Sequence, residues 1–154
     1  MKKLEELIKD LENKVPKQEL INQMISTSSV GWHIEHALLT VNLIIEALKN
    51  SNPRDYKWTF NFPRLYVFTM KKIPRGRAQS PASVKPTNHF NIETLENHIY
   101  FSKEKLKELD TLKPNNYFEH PFFGKLNLKP TKKFLEIHTN HHIDIINDII
   151  NTKK

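Results

Sequence analysis

The chain has 154 residues, a net charge of +7, 38% hydrophobic residues and no cysteine. That is enough apolar material for one domain with a single core, and too much for a disordered chain. It excludes a disulfide framework, a thiolate nucleophile and a sulfur-based zinc knuckle, so any metal site must use nitrogen and oxygen.

Residues 1 to 14 place Leu4, Leu7, Ile8 and Leu11 at i, i+3, i+4, i+7 and predict a first helix, interrupted by Pro16. Charges recur there where a signal peptide needs an unbroken apolar run, and no stretch reaches the ~18 apolar residues of a membrane span. The expectation is a cytoplasmic protein without a membrane partner. Residues 17 to 28 read as a short turn and loop with Leu20, Ile21 and Met24 as buried contacts.

Ser28 or Ser29 can cap a second helix running to about Lys49. Trp32, His36, Leu39, Leu43 and Ala47 are its expected inner stripe, widened by Thr40 and Ile44. Ile34, Leu38, Val41 and Ile45 line the opposite side. A helix apolar almost all round is either central or gives one face to an interface, so a homodimer is one expectation.

Residues 51 to 90 form a long crossover dense in rings: Tyr56, Trp58, Phe60, Phe62, Tyr66 and Phe68. Asn61 and Pro63 predict a short helix over about 62 to 72. The rings either plug an open end of the fold or wall a substrate pocket over the histidines. Lys71, Lys72, Arg75 and Arg77 form a modest basic cluster. No helix-turn-helix, RNA-recognition or zinc-finger pattern accompanies it, so it reads as solvated surface and not as a nucleic-acid site. Arg75 and Arg77 could still steer an anionic co-substrate.

Asn91 caps a third helix over about 92 to 110, with Phe90 and Leu95 at hydrophobic-staple spacing. Its expected inner stripe is Ile92, Leu95, Ile99, Leu106 and Leu109, with His98 on the flank. Lys113-Pro114 stops it, and KPNNYFEHPFFGKLN reads as a loop. Asn127 opens a fourth helix, with Pro130 in its first turn. Together these elements predict an all-α four-helix bundle with an aromatic-rich crossover between the second and third long helices.

In the last helix Phe134, His138, His142, Ile145 and Ile149 share one stripe at about 100° per residue. His138 and His142 therefore stand one turn apart on the inward face. Two buried imidazoles cannot both be charged there without a cost of several kcal/mol. Hydrogen bonds can satisfy them as core histidines, or their lone pairs can meet a metal ion. The second helix offers a third imidazole, His36, with His33 about 60° away. Three neutral imidazoles would leave a coordination position open, as in a catalytic site. His141 points away from the pair, and Glu35, Glu136 and Asp144 face away from the stripe. That argues against a di-iron carboxylate centre, and Thr139 after His138 argues against an HExxH site.

The segments GWHIEHALLTVN, HPFFGKLN and FLEIHTNHHIDII, with the PRG…P…KP crossover, resemble the DinB/YfiT-like superfamily. They are most similar to an uncharacterised branch with the HPFFG…IHTNHH ending, over most of the chain. The resemblance implies a four-helix bundle that binds a divalent transition metal (Zn, Ni or Fe) through three histidines. By position these are His36 from the second helix and His138 and His142 from the last. His33 stands where that pattern usually carries an apolar residue. Some members are thiol-dependent S-transferases or hydrolases, so the implied function is activation of a thiol or water. The partners would be a small-molecule substrate and a low-molecular-weight thiol. Against this stands a non-catalytic helical binding module whose metal is structural or absent, which a fourth protein ligand such as His33 or His141 would favour.

Overall fold

A computed structural model describes residues 2–76, 81–87 and 90–152. Among them are five α-helices and one hairpin: α1 (Lys2–Glu12), α2 (Val30–Asn50), α3 (Phe62–Met70), α4 (Ile92–Glu108), β1 (Tyr117–His120), β2 (Gly124–Asn127) and α5 (Leu128–Asn151). The four long helices pack on one another, α2 against α4 and α5, and α1 against α5 and α4. Their starts follow the cap chemistry. The Ser29 hydroxyl accepts the Trp32 N–H at 3.1 Å. The Asn61 side chain accepts from Arg64, and Asn91 and Thr94 form a reciprocal capping box.

The core is built from Leu4, Ile8 and Leu11 of α1, Leu95, Ile99 and Leu106 of α4, and Leu135, Ile143 and Ile146 of α5. From α2 it takes Ile34, Leu38, Val41, Ile45 and Leu48, each at most 1% exposed. At roughly 1.5–3 kcal/mol for each fully buried aliphatic side chain, this is the face that holds α2 in place. The stripe expected to be inner instead opens on a cavity, with Leu43 42% exposed. One apolar side of α2 is thus spent on the core and the other lines the cavity, with Leu43 and Ala47 left exposed.

Three further expectations are corrected. The chain is not all-α, because the loop after α4 folds into an antiparallel hairpin. Phe118 and Leu126 lie opposite each other in it and are both buried, so a short apolar–polar alternation was at work there. Gly124, with φ +68°, makes the return that a residue with a Cβ would resist. Next, Leu20, Ile21 and Met24 are exposed, as is Ile92, which lies in the first turn of α4 before that helix reaches the core. Gly31 of α2 sits against this N-terminal loop, its N–H donating to the Gln18 carbonyl at 2.8 Å. Lastly, of the six crossover rings only Phe68 packs against the core, and none walls the cavity. Trp58, Phe60, Phe62, Leu65, Tyr66 and Met70 are all more than half exposed, and α3 turns only Val67 and Phe68 inward.

Candidate metal centre

His36 of α2 and His138 and His142 of α5 offer three ring nitrogens within 4.8 Å of one another. The i, i+4 spacing on α5 brings two rings to 4.7 Å between centroids, and the packing of α2 on α5 brings His36 to 5.2 Å from His138 and 4.6 Å from His142. Trp32 stacks on His36 from the other side, with centroids 5.0 Å apart and planes at 12°, which fixes the plane of that ring.

Hydrogen bonds decide where the protons sit. His36 Nδ1 lies 2.7 Å from the carbonyl oxygen of Val84. A carbonyl only accepts, so Nδ1 carries the proton and Nε2 presents its lone pair. His142 Nδ1 lies 3.0 Å from His33 Nδ1, and His33 Nε2 lies 3.0 Å from the Ser26 hydroxyl. The chain of bonds can run in either direction; a lone pair on His142 Nε2 goes with the one in which His142 donates from Nδ1, His33 accepts and the His33 Nε2–H goes to Ser26. His138 Nδ1 is buried with no hydrogen-bond partner among the described residues. An orphaned polar atom of that kind costs about 1–3 kcal/mol if nothing meets it.

All of these rings are held neutral. Burial pushes His138 and His142 well below the ordinary histidine value, and the neighbouring histidines push them further the same way. Burial also lowers His36, partly offset by its bond to Val84. His33 is pushed down to about 4, by burial first and then by His36, His141 and Arg75. A cluster of neutral imidazoles with no carboxylate among them is a donor set for a borderline transition metal and a poor one for calcium or magnesium. The residues therefore fit a divalent transition ion. Bonds of about 2.0–2.1 Å place tetrahedral nitrogens about 3.4 Å apart, so the rings must draw in by roughly 1 Å or somewhat more to grip one.

The other histidines separate from this group. Both nitrogens of His33 are already engaged, so it orients His142 and is not one of the converging three. His141 is half-buried beside the cavity and likewise outside the converging set. His98 belongs to a polar seam between α2 and α4: its Nδ1 meets Glu35 at 2.9 Å, and Asn42 donates to its Nε2 at 2.7 Å. His89 lies outside the described residues.

The three histidines form one wall of a cavity of about 380 Å³. Its apolar walls come from Leu43, Ile44 and Ala47 of α2, Phe134 of α5, and Phe118, Phe122 and Phe123 of the hairpin. The crossover contributes Ile73, Pro74 and Val84 in place of the rings that stand out in its sequence. No Asp, Glu, Lys or Arg is among the described lining residues. Arg75 is not at the cavity. It pairs with Asp148 at 2.8 Å, and Arg77 lies outside the described residues. Sequence reasoning missed His120 and the Val84 carbonyl. Only the alternation before His120 hinted at a strand, and no side-chain signal marks a backbone carbonyl. No helix among the described residues is long and apolar enough to cross a membrane. No family model matches the chain, nor does any of the curated proteins or solved structures compared with it.

Proposed function

We propose that this chain is a cytoplasmic metal-dependent enzyme of the DinB/YfiT-like kind, its four long helices forming that superfamily's bundle. In this reading His36, His138 and His142 hold one divalent transition ion, Zn²⁺, Ni²⁺ or Fe²⁺, beside a small-molecule pocket. The observation that carries it is the convergence of three neutral imidazoles on the wall of an apolar cavity. When bound, such an ion acts as a Lewis acid that lowers the pKa of a coordinated thiol or water.

The chain's own residues supply the rest. The Val84 carbonyl and the Ser26–His33 pair keep His36 and His142 in the tautomers that point lone pairs at the site. Trp32 holds the His36 plane. The phenylalanines of the hairpin and α5 shed water from the substrate side and select for apolar shape. Among the described residues the converging group contains three histidines and not four, which leaves room for a thiol or a substrate atom and favours an enzyme over a structural site.

Protein loaded with Co²⁺ and titrated with 2-mercaptoethanol tests the reading. A thiolate-to-cobalt charge-transfer absorption should grow to one equivalent, and the loaded protein should speed alkylation of that thiol by iodoacetamide at pH 7 relative to chelated protein. No spectral change and no metal-dependent rate would remove the thiol-transfer reading.

A further inference from the structure

Facing the same cavity is a second polar group, on the wall that the hairpin supplies. His120 closes β1, and its Nδ1 accepts the backbone N–H groups of Phe122 at 3.1 Å and Phe123 at 3.2 Å. A ring nitrogen that accepts two N–H bonds carries no proton, so the one proton of the neutral ring sits on Nε2. The turn therefore sets the tautomer. Packing sets the plane: the ring stacks on Phe123 with centroids 4.1 Å apart and planes at 10°, and meets Phe134 edge-on at 4.8 Å. Burial pushes its pKa down to about 4, which keeps the ring uncharged at neutral pH.

The hydrogen bonds His120 makes among the described residues all go to Nδ1, which leaves Nε2–H unused on a ring that lines the cavity. The Thr40 hydroxyl, also in the lining, donates to the His36 carbonyl at 2.8 Å and makes no hydrogen bond with His120. So the hairpin wall carries a donor that the turn holds in place and that no described residue engages; Ser83 and His141 are further polar residues of the lining. In protein stripped of metal the described lining has no cation to receive a carboxylate or phosphate, so either would be buried unpaired. An amine or another pure donor would leave Nε2–H unmet as well. The match in chemistry for Nε2–H is an uncharged acceptor.

We infer that His120 is a recognition residue, whose Nε2–H binds the oxygen of an uncharged carbonyl compound with an apolar body lodged among the cavity's phenylalanines. The inference needs the cavity and the hairpin turn but not an ion. It is therefore measured on protein stripped with a chelator, so that its failure and that of the metal reading stay distinct.

The probes are acetophenone and ethylbenzene, which share a ring and a two-carbon side chain and differ by one carbonyl oxygen. NMR titration of chelated protein should place both in the cavity through shifts at the Phe122 and Phe134 amides. Acetophenone should bind about tenfold more tightly. The variant is His120→Asn, because an asparagine carbonyl can keep accepting the Phe122 and Phe123 N–H groups while the side chain falls short of the Nε2 position. In this variant the preference should drop to within about twofold, with ethylbenzene binding retained. Two-bond ¹H–¹⁵N spectra of the unaltered chain should show His120 protonated at Nε2. Equal binding of the two probes, binding of neither, a preference that survives His120→Asn, or a proton on Nδ1 would each overturn the inference.

Discussion

Replacing His33 with leucine separates a residue that orients a ligand from one that is a ligand. His33 is 4% exposed and touches His142 Nδ1 and Ser26, each at 3.0 Å. Leucine is close to histidine in volume, so the substitution removes the acceptor without opening a large cavity. His142 Nδ1–H is then buried with nothing to accept it, a cost of about 1–3 kcal/mol. Loss of a hydrogen-bonded support behind a metal-binding histidine weakens binding by about 10- to 100-fold. The two estimates describe the same effect by different routes. Competition with a chromophoric chelator should show Zn²⁺ affinity falling by one to two powers of ten, about 1.4–2.7 kcal/mol, with one site retained. Ser26→Ala, which removes only the far end of the chain of bonds, should cost a few-fold. Unchanged affinity after His33→Leu would refute the orienting role. A loss as complete as that of His142→Ala would make His33 a ligand.

Asn116 is buried and ties the end of α2 to the start of the hairpin, donating to the Leu48 carbonyl and to Ser51 while accepting the Lys113 N–H. Asn116→Ala should cost about 2–4 kcal/mol in urea unfolding, and a loss under 1 kcal/mol would show that the tie is not needed. Gly31→Ala should destabilise by about 1–3 kcal/mol although alanine is the better helix former. The added Cβ would lie 2.5 Å from Phe90 and 3.1 Å from the Gln18 carbonyl oxygen, and a gain in thermal stability would contradict that packing. Metal-free protein should lose stability in acid. His33 and His120 are each held at about 4, below the ordinary 6.5, so above pH 6.5 both are neutral folded or unfolded. Between about 6.5 and 4 the unfolded chain takes up protons that the folded chain refuses. Stability should fall across that window by about 3 kcal/mol for each histidine. Equal urea midpoints at pH 7.5 and pH 4.5 would refute the buried-neutral assignment.

What could be read from residues alone divides along physical lines. Caps are local, and Ser29, Asn61 and Asn91 start helices where their side chains predict. Periodicity is local too, so the His138–His142 pair appears one turn apart on the buried stripe of α5. Which of two apolar faces meets the core is not local. Ile34, Leu38 and Ile45 win it over Leu43 and Ala47 because the shared core of the long helices lies on that side, and no count of apolar positions along α2 could say so. The hairpin is short, and four residues of alternation interrupted by Pro121 carry little signal. The same period that built α3 gave it an outward apolar stripe, since periodicity shows that a helix has two faces but not what covers either. His120 and Val84 escaped notice for a related reason. One depends on two backbone N–H groups in a turn and the other on a backbone carbonyl, and both come from segments whose placement is decided by packing.

The central claim is that His36, His138 and His142 hold one ion between them. Metal-free protein titrated with Zn²⁺ should bind one equivalent per chain, with X-ray absorption showing three imidazole nitrogens at about 2.0–2.1 Å. The double variant His138→Ala, His142→Ala should bind none. Binding that persists undiminished in that variant, or no binding by the unaltered chain, would contradict the account.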